Sequence, residues 1–396
     1  MVTNIYDLNS DELAEYFLKA GEPKYRAAQV FSALHSGVPV ADMTTIPKPL
    51  REKLIQDFHC ELPTVESELV SKDGTRKYLL RLQDNNLVEC VLLTQDYGQT
   101  VCISSQVGCK MGCKFCASGA DGFVRNLTPG EMLAQVLVCV NNSPSQGEGV
   151  PRKRSASASA ERGGVGNIVI MGSGEPFDNF ENTAKFLNLV TCAEGLNIGA
   201  RGISVSTVGI PDKIRAFADL NTQVNLCISL HAPNDEIRKT IMPMARVHPI
   251  REIIAAAKYF FDKTRRRVIF EYALIDGVNC MPEHARELAF LLKGAGFASH
   301  VNLISLNNSP SHDEGVAHGA GVGLSAPPRE TAMKFIAAEL SLDNSCGYTN
   351  PTRETSRIFM DTLIKNGVSC TMRKSRGTDI FGACGQLKLQ RGKNGN

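Results

Sequence analysis

The chain has 396 residues, 43% hydrophobic and 21% charged, a balance that fits a globular fold with a full core and excludes a disordered or fibrous chain. A net charge of +2 excludes a globally basic nucleic-acid-coating protein. No apolar run reaches the length of a membrane span and residues 1–10 (MVTNIYDLNS) carry no secretory pattern, so no membrane partner and a cytoplasmic, reducing location are expected.

The chain opens with helical periodicity. Ser10, Asp11 and Glu12 start an amphipathic stretch whose apolar residues are Leu13, Tyr16 and Phe17. A second helix is expected over 25–34, apolar at Ala28, Val30, Phe31 and Leu34, and a third over 50–58 after Pro47 and Pro49. From about Leu69 the pattern turns extended, which places a boundary nearby. Residues 1–88 are expected to form a small N-terminal helical domain with linker strands, and 89–396 the main domain.

In the main domain β and α signals alternate. Strands are expected over 100–105, 167–171, 202–206, 224–229, 267–273 and 300–304. Helices follow over 129–140, 182–193, 211–218, 250–263, 282–293 and 353–366. Six βα units in one direction argue an α/β fold with a parallel sheet, and six is short of the eight of a closed barrel. The expectation is a partial (βα)6 barrel with its chemistry at the strand C-termini. Two stretches interrupt the pattern and read as disordered insertions, about 141–166 (with SASASAERGG) and about 309–350 (with GVAHGAGVGLSAPP). Within the second, PPRET at 327–331 echoes PTRET at 351–355.

Thirteen cysteines in a reducing compartment point to metal or redox chemistry rather than a disulfide framework. Three of them, Cys109, Cys113 and Cys116, sit at CxxxCxxC spacing after the first strand of the alternating region, with Phe115 before the last. A [4Fe–4S] cluster needs four ligands, so three local thiolates leave one iron open. This loop resembles that of the radical S-adenosylmethionine (SAM) enzymes, which implies a [4Fe–4S] cluster and SAM on the open iron. A structural zinc completed by a fourth ligand such as Cys102 is the competing reading, and with it a zinc-stabilised, non-enzymatic RNA-binding module.

Further polar groups fall at the ends of the expected strands. Gly174 and Glu175 lie in GSGEP after the second. Glycine lets backbone approach a ligand, and a carboxylate can pair with an ammonium. Ser206 ends the third strand, Ser229, Leu230 and His231 the fourth, and Asn307 follows the sixth. Their repetition around one rim favours a ligand site over isolated strand-end caps. Placed after the cluster loop, GEP resembles the segment that binds the SAM amino group.

The C-terminal RKSRGTDIFGACGQL (373–387), with VECV at 88–91, Cys102 and GFVRNLT at 122–128, resembles the RlmN/Cfr family of radical SAM RNA methyltransferases. The likeness runs from about Tyr25 to Leu387 outside the insertions, and GFVRNLT is more similar to the RlmN branch than to the C8-methylating Cfr branch. The resemblance implies methylation at C2 of adenosine 2503 in 23S rRNA and of adenosine 37 in tRNAs. It implies two SAM per turnover: one methylates Cys384, and a second is cleaved to a radical that activates that methyl for addition to adenine. Cys102 then releases the product, leaving a disulfide with Cys384, and Glu89 matches the residue that accepts the substrate proton. Partners implied are 23S rRNA, tRNA and a flavodoxin- or ferredoxin-type electron donor. Two positions depart from the family pattern: Ser173 replaces a usual Met, and Gly382 a usual Ala.

Cys90, Cys139, Cys192 and Cys227 lie in apolar stretches and are expected to be buried small hydrophobes. Lys24, Arg26, Arg51 and Lys53 are candidate phosphate contacts. From Met372 onward, Arg373, Lys374, Arg376, Lys388, Arg391 and Lys393 face one acid, Asp379, which is either a solvated end or a polyanion-binding edge.

Overall fold

A computed structural model describes residues 3–120, 122–143, 164–307 and 347–387. Most of both expected insertions, the 327–331 repeat and the basic residues Lys388, Arg391 and Lys393 lie outside the described residues.

Three helices open the chain: α1 (Ser10–Lys19), α2 (Tyr25–His35) and α3 (Lys48–Asp57). The start of α1 is fixed by a capping box. The Asn9 side chain accepts the Glu12 N–H at 2.9 Å and Glu12 accepts the Asn9 N–H at 2.8 Å. Leu13, Phe17, Val30, Phe31 and Leu34 from the facing stripes are fully buried, as their helical spacing dictates.

Strands β1 (Thr64–Val70), β2 (Arg76–Arg81), β3 (Leu87–Gln95) and β4 (Gly98–Ile103) form an antiparallel meander. From β4 the sheet turns parallel, through β7 (Val165–Ile170), β8 (Ile203–Thr207), β9 (Asn225–Ser229), β10 (Val268–Leu274), β11 (Ser299–Ser305) and β12 (Cys370–Met372). The six expected parallel strands are present. The three-residue β12 adds a seventh, and β1–β3 extend the same sheet to ten strands. A small hairpin, β5 (Gln106–Gly108) with β6 (Phe123–Asn126), brackets the cysteine loop.

Helices α4 (Pro129–Asn141), α5 (Phe180–Thr191), α6 (Pro211–Asp219), α8 (Ile250–Thr264), α9 (Pro282–Gly294) and α10 (Arg353–Lys365) match the expected set within two residues at each end. The short α7 (Asp235–Ile241) was not expected: one charged turn and a half, capped by Asn234, carries no readable apolar stripe. The N-terminal helices dock on the sheet layer through α4, where Asp7 accepts the Gly130 N–H at 2.7 Å, and through α5, where Lys185 pairs with Glu12 at 2.7 Å.

Cys90, Cys139 and Cys227 are buried core residues, as expected. Cys192 is not: it caps the C-terminus of α5, is half-buried, and contacts the Glu194 carboxylate at 2.8 Å.

Candidate active site

The parallel strands deliver their C-terminal ends to one cleft, lined by Cys109, Cys113, Cys116, Gly174, Glu175, Ser206, Ser229, His231, Asn307 and Cys384 among others. All three cysteines of the CxxxCxxC motif therefore face the rim residues. Their loop is closed at its base by the Cys109 N–H donating to the Gly122 carbonyl at 3.0 Å. Gly108 makes this closure possible, because a Cβ there would sit 1.8 Å from the Gly122 oxygen. Burial pushes all three thiols up, Cys109 to about 11, and repulsion between the thiolates adds to this at Cys109 and Cys113. Such a donor set needs a cationic metal centre to hold it as thiolates, so its chemistry fits an iron–sulfur cluster. Among the described residues no three His, Cys, Asp or Glu side chains converge to share a single metal ion.

Gly174 adopts φ +101°, and a Cβ there would lie 2.5 Å from the Gln106 Cβ. The next residue, Glu175, is buried. Its two oxygens accept the Phe177 N–H at 2.9 Å and the Val208 N–H at 2.7 Å. Burial nonetheless lifts its carboxyl to about 7, an acid short of a cationic partner. The Ser206 and Ser229 hydroxyls lie 3.4 Å apart across adjacent strand ends. His231 has φ +57° and packs edge-on against Phe115 at 4.8 Å. Its Nδ1 accepts the Ala273 N–H at 2.9 Å, and burial pushes its pKa down to about 3, leaving a neutral ring. Leu230 stands apart from this group. Its side chain is wholly buried in the main core and its N–H donates to the Glu271 carbonyl, so it shapes the strand end without lining the cleft.

Cys384 occupies a clamped C-terminal loop. Asn307 donates to its carbonyl at 3.0 Å, the Ala117 N–H to Gly385 at 2.8 Å, and the Ser118 hydroxyl to Leu387 at 3.0 Å. Cys384 also lines a second cleft, together with Cys102, Tyr97, Asn307, Arg373, Lys374 and Arg376. The described part of the basic tail is thus a cleft wall. Cys102 is 7% exposed; burial and the facing Cys384 push its thiol up, and Arg373 opposes them. Glu89 lies apart from both clefts, in a smaller adjoining pocket with Ser118 and Leu387, where it pairs with Lys77 at 2.9 Å.

Sequence reasoning missed Glu271 and gave Arg373 only as part of the basic tail. Arg373 lines both clefts, and its guanidinium stands 3.6 Å from Glu271. Glu271 is buried on β10, accepts from Asn302 at 2.9 Å with one oxygen, and lacks a hydrogen bond on the other. A lone carboxylate within VIFEYAL was the available signal. Of the four N-terminal basic residues, Arg26 donates to Thr45 and Gln29, Arg51 to Ala41, and Lys53 pairs with Asp57 at 3.3 Å. Lys24 is exposed.

Family models match two stretches of the chain. Residues 3–59 match the ribosomal RNA large subunit methyltransferase N-terminal domain, and residues 151–291 match the radical SAM superfamily. A probable dual-specificity RNA methyltransferase RlmN of Clostridium novyi is 39% identical over 388 residues, 97% of each chain. Its counterpart from Clostridium perfringens strain 13 is 41% identical over 97% of this chain and 96% of that one. The crystal structure of a radical SAM methyltransferase from Sphaerobacter thermophilus superposes with a TM-score of 0.81 at 39% identity, covering 97% of this chain and 99% of that one. The chain belongs to the radical SAM superfamily and, within it, to the RlmN family of dual-specificity RNA methyltransferases.

Proposed function

We propose that the protein methylates C2 of adenosine in 23S rRNA and in tRNA, with Cys384 as the methyl carrier and Cys102 as the resolving thiol. The observation that carries this is the position of Cys384 at the junction of two clefts. One contains the three-cysteine loop and the polar rim; the other contains Cys102 beneath a wall of Arg373, Lys374 and Arg376. A group that must take a methyl on one side and deliver it to RNA on the other belongs at such a junction.

In this reading Cys109, Cys113 and Cys116 hold a [4Fe–4S] cluster. Glu175 meets the SAM ammonium, with Gly174, Ser206, Ser229, His231 and Asn307 around the rest of the cofactor. The bound cofactors supply the methyl group and the one-electron chemistry that an electron-poor carbon requires. The chain's own residues do the remainder. Asn307 fixes the carrier backbone. The basic wall receives the RNA backbone of an adenosine drawn out of its stack. Glu89 takes the proton from the substrate carbon. Cys102, as thiolate, attacks the Cys384 sulfur: an S–S bond forms, the S–CH2 bond breaks, and its electron pair stays with the departing base, whose methylene takes up a proton to become the methyl group. Residues 1–88 contribute RNA contacts, and a flavodoxin- or ferredoxin-type protein in the cytoplasm supplies electrons.

The test is anaerobic reconstitution with iron and sulfide, then reaction with SAM, reductant and a 23S rRNA fragment or tRNA, followed by nucleoside mass spectrometry. The expected product is 2-methyladenosine. Formation of 8-methyladenosine would move the chain to the C8 activity, and normal turnover by Cys384→Ala would remove the carrier role.

A further inference from the structure

Lys77 is a buried cation that the reading above leaves unused. It lies on β2, where an amine would ordinarily reach water, yet its side chain is only 4% exposed. Burying an ammonium is costly unless it is paired and hydrogen-bonded. Both conditions are met. Its Nζ stands 2.9 Å from Glu89 Oε1 and donates to the Phe381 carbonyl at 3.3 Å. The first contact follows from register: Leu79 opposes Glu89 across the antiparallel pair, so Lys77, two residues back on the same face, is a diagonal neighbour. The second reaches a residue in left-handed backbone (φ +51°), three positions before Cys384.

We propose that Lys77 is a positioning residue that holds Glu89 as a buried carboxylate base and ties it to the methyl-carrier loop through the Phe381 carbonyl. The proposal rests on the roles assigned above to Glu89 and Cys384. Among the described residues Lys77 is the charged side chain that meets Glu89. Strand β4 brings Ser104, whose hydroxyl donates to the Glu89 backbone carbonyl at 2.7 Å. The buried thiols Cys90 and Cys139, 3.7 Å apart, are the nearby titratable groups on the α4 side. The C-terminal segment brings Leu387 and the Phe381 carbonyl. Burial pushes the Glu89 carboxyl above its ordinary range, and Lys77 pulls it part of the way back. During proton abstraction a C–H bond of the substrate breaks, an O–H bond forms on Glu89, and the electron pair stays on the ring. Because it also grips the loop, the base and the carrier keep their relative position as RNA arrives.

The test compares Lys77→Met, Lys77→Arg and Glu89→Gln in the reconstituted full-length enzyme. Methylation of Cys384, read by peptide mass spectrometry after incubation with SAM, precedes the base; in Lys77→Met it reports the loosened loop alone and is expected to fall by less than the release of methylated RNA does. With RNA present, Lys77→Met is expected to slow release of methylated RNA at pH 7 by tenfold or more and to accumulate the covalent protein–RNA adduct on denaturing gels. Its pH profile for release is expected to move to higher pH, since an unpaired Glu89 ionises later, and Lys77→Arg is expected to restore part of the rate. A wild-type rate and pH profile in Lys77→Met overturns the proposal. Should Lys77→Met fail to fold, Lys77→Arg decides: an unchanged rate together with an unchanged profile counts against a positioning role. Glu89→Gln separates the layers. If it releases product normally, the base assignment falls; if it traps adduct while Lys77→Met does not, only the Lys77 inference falls.

Discussion

Ser71 donates to Asp379 Oδ1 at 2.5 Å, joining the β1–β2 turn to the Cys384 loop across 308 residues of sequence. The Lys72 N–H reaches the other Asp379 oxygen at 3.2 Å, and Asp73 accepts the Gly377 N–H at 3.0 Å. The hydroxyl of Ser71, chiefly, holds the Asp379 carboxyl below its usual range. The RGTDI segment is therefore an anchor. It fixes the loop from outside the cleft, while Asn307 and Ser118 fix it from within.

Asp379→Ala is expected to loosen this loop without touching the cysteine motif. A misplacement of about 1 Å at a reacting group costs on the order of 100-fold in rate. Cys384 methylation and RNA methylation should both fall by tenfold or more, with iron content and SAM affinity unchanged. Peptide mass spectrometry and equilibrium binding check this. Equal losses of SAM affinity and rate would mean that the loop builds the cofactor cleft rather than carrying the methyl.

Gly174→Ala attacks the wall that carries Glu175. The position has φ +101°, and a Cβ would lie 2.5 Å from the Gln106 Cβ and 2.7 Å from its backbone nitrogen. The added methyl must displace the strand end that carries Glu175. SAM binding should weaken by at least tenfold, measured by calorimetry on the reconstituted protein. Full affinity in the variant would show that this wall does not touch the cofactor.

His231 gives a pH signature to the cluster-free chain. Folded, it titrates near 3; unfolded, near the ordinary 6.5. Between those values the unfolded chain binds a proton that the folded chain does not, so stability is fully present above 6.5 and falls as the pH drops toward 3. The loss is about 1.4 kcal/mol per pH unit at its steepest. Urea unfolding at pH 7, 6 and 5 should show this slope reduced by about one proton in His231→Gln. Identical slopes in both proteins would mean that the ring is already protonated in the fold.

How much of this was legible beforehand depended on local spacing. The cysteine loop and the rim residues were readable because each lies at a strand end, and αβ alternation fixes where strand ends go. Cys384 was readable only through its motif, since a Gly-flanked cysteine in a loop has no periodicity to place it. Lys77 was not readable. In RKYLLR it has the alternation of an ordinary half-exposed strand, and its partner is defined only once β2 pairs with β3 in a given register. Glu89 shows the same limit from the other side: the motif supplied its role but not the pocket, separate from Cys384, in which the fold puts it. Pairing across strands, not composition along them, decides such contacts.

Arg238 makes that point with stability as the readout. In the short charged helix DEIRKTI it reads as a surface residue, yet it is 0% exposed. Its guanidinium donates to the carbonyls of Leu230 at 3.1 Å, His248 at 3.2 Å and Ser229 at 3.3 Å, and also to Val208. It thus satisfies the carbonyls that follow β8 and β9, the same segments that carry Ser206, Ser229 and His231 to the cleft. Burial lowers its pKa to about 10, so it stays charged at neutral pH. Arg238→Met fills similar space but leaves four carbonyls without their donor, one on buried Leu230 and three on half-buried residues, a loss of roughly 2–4 kcal/mol. Arg238→Lys keeps the charge but lacks the planar fork, and should recover less than half of that loss. Thermal melts of the metal-free proteins measure both. A Met variant as stable as wild type would mean that water reaches these carbonyls, and the strand ends would then owe their order to packing alone.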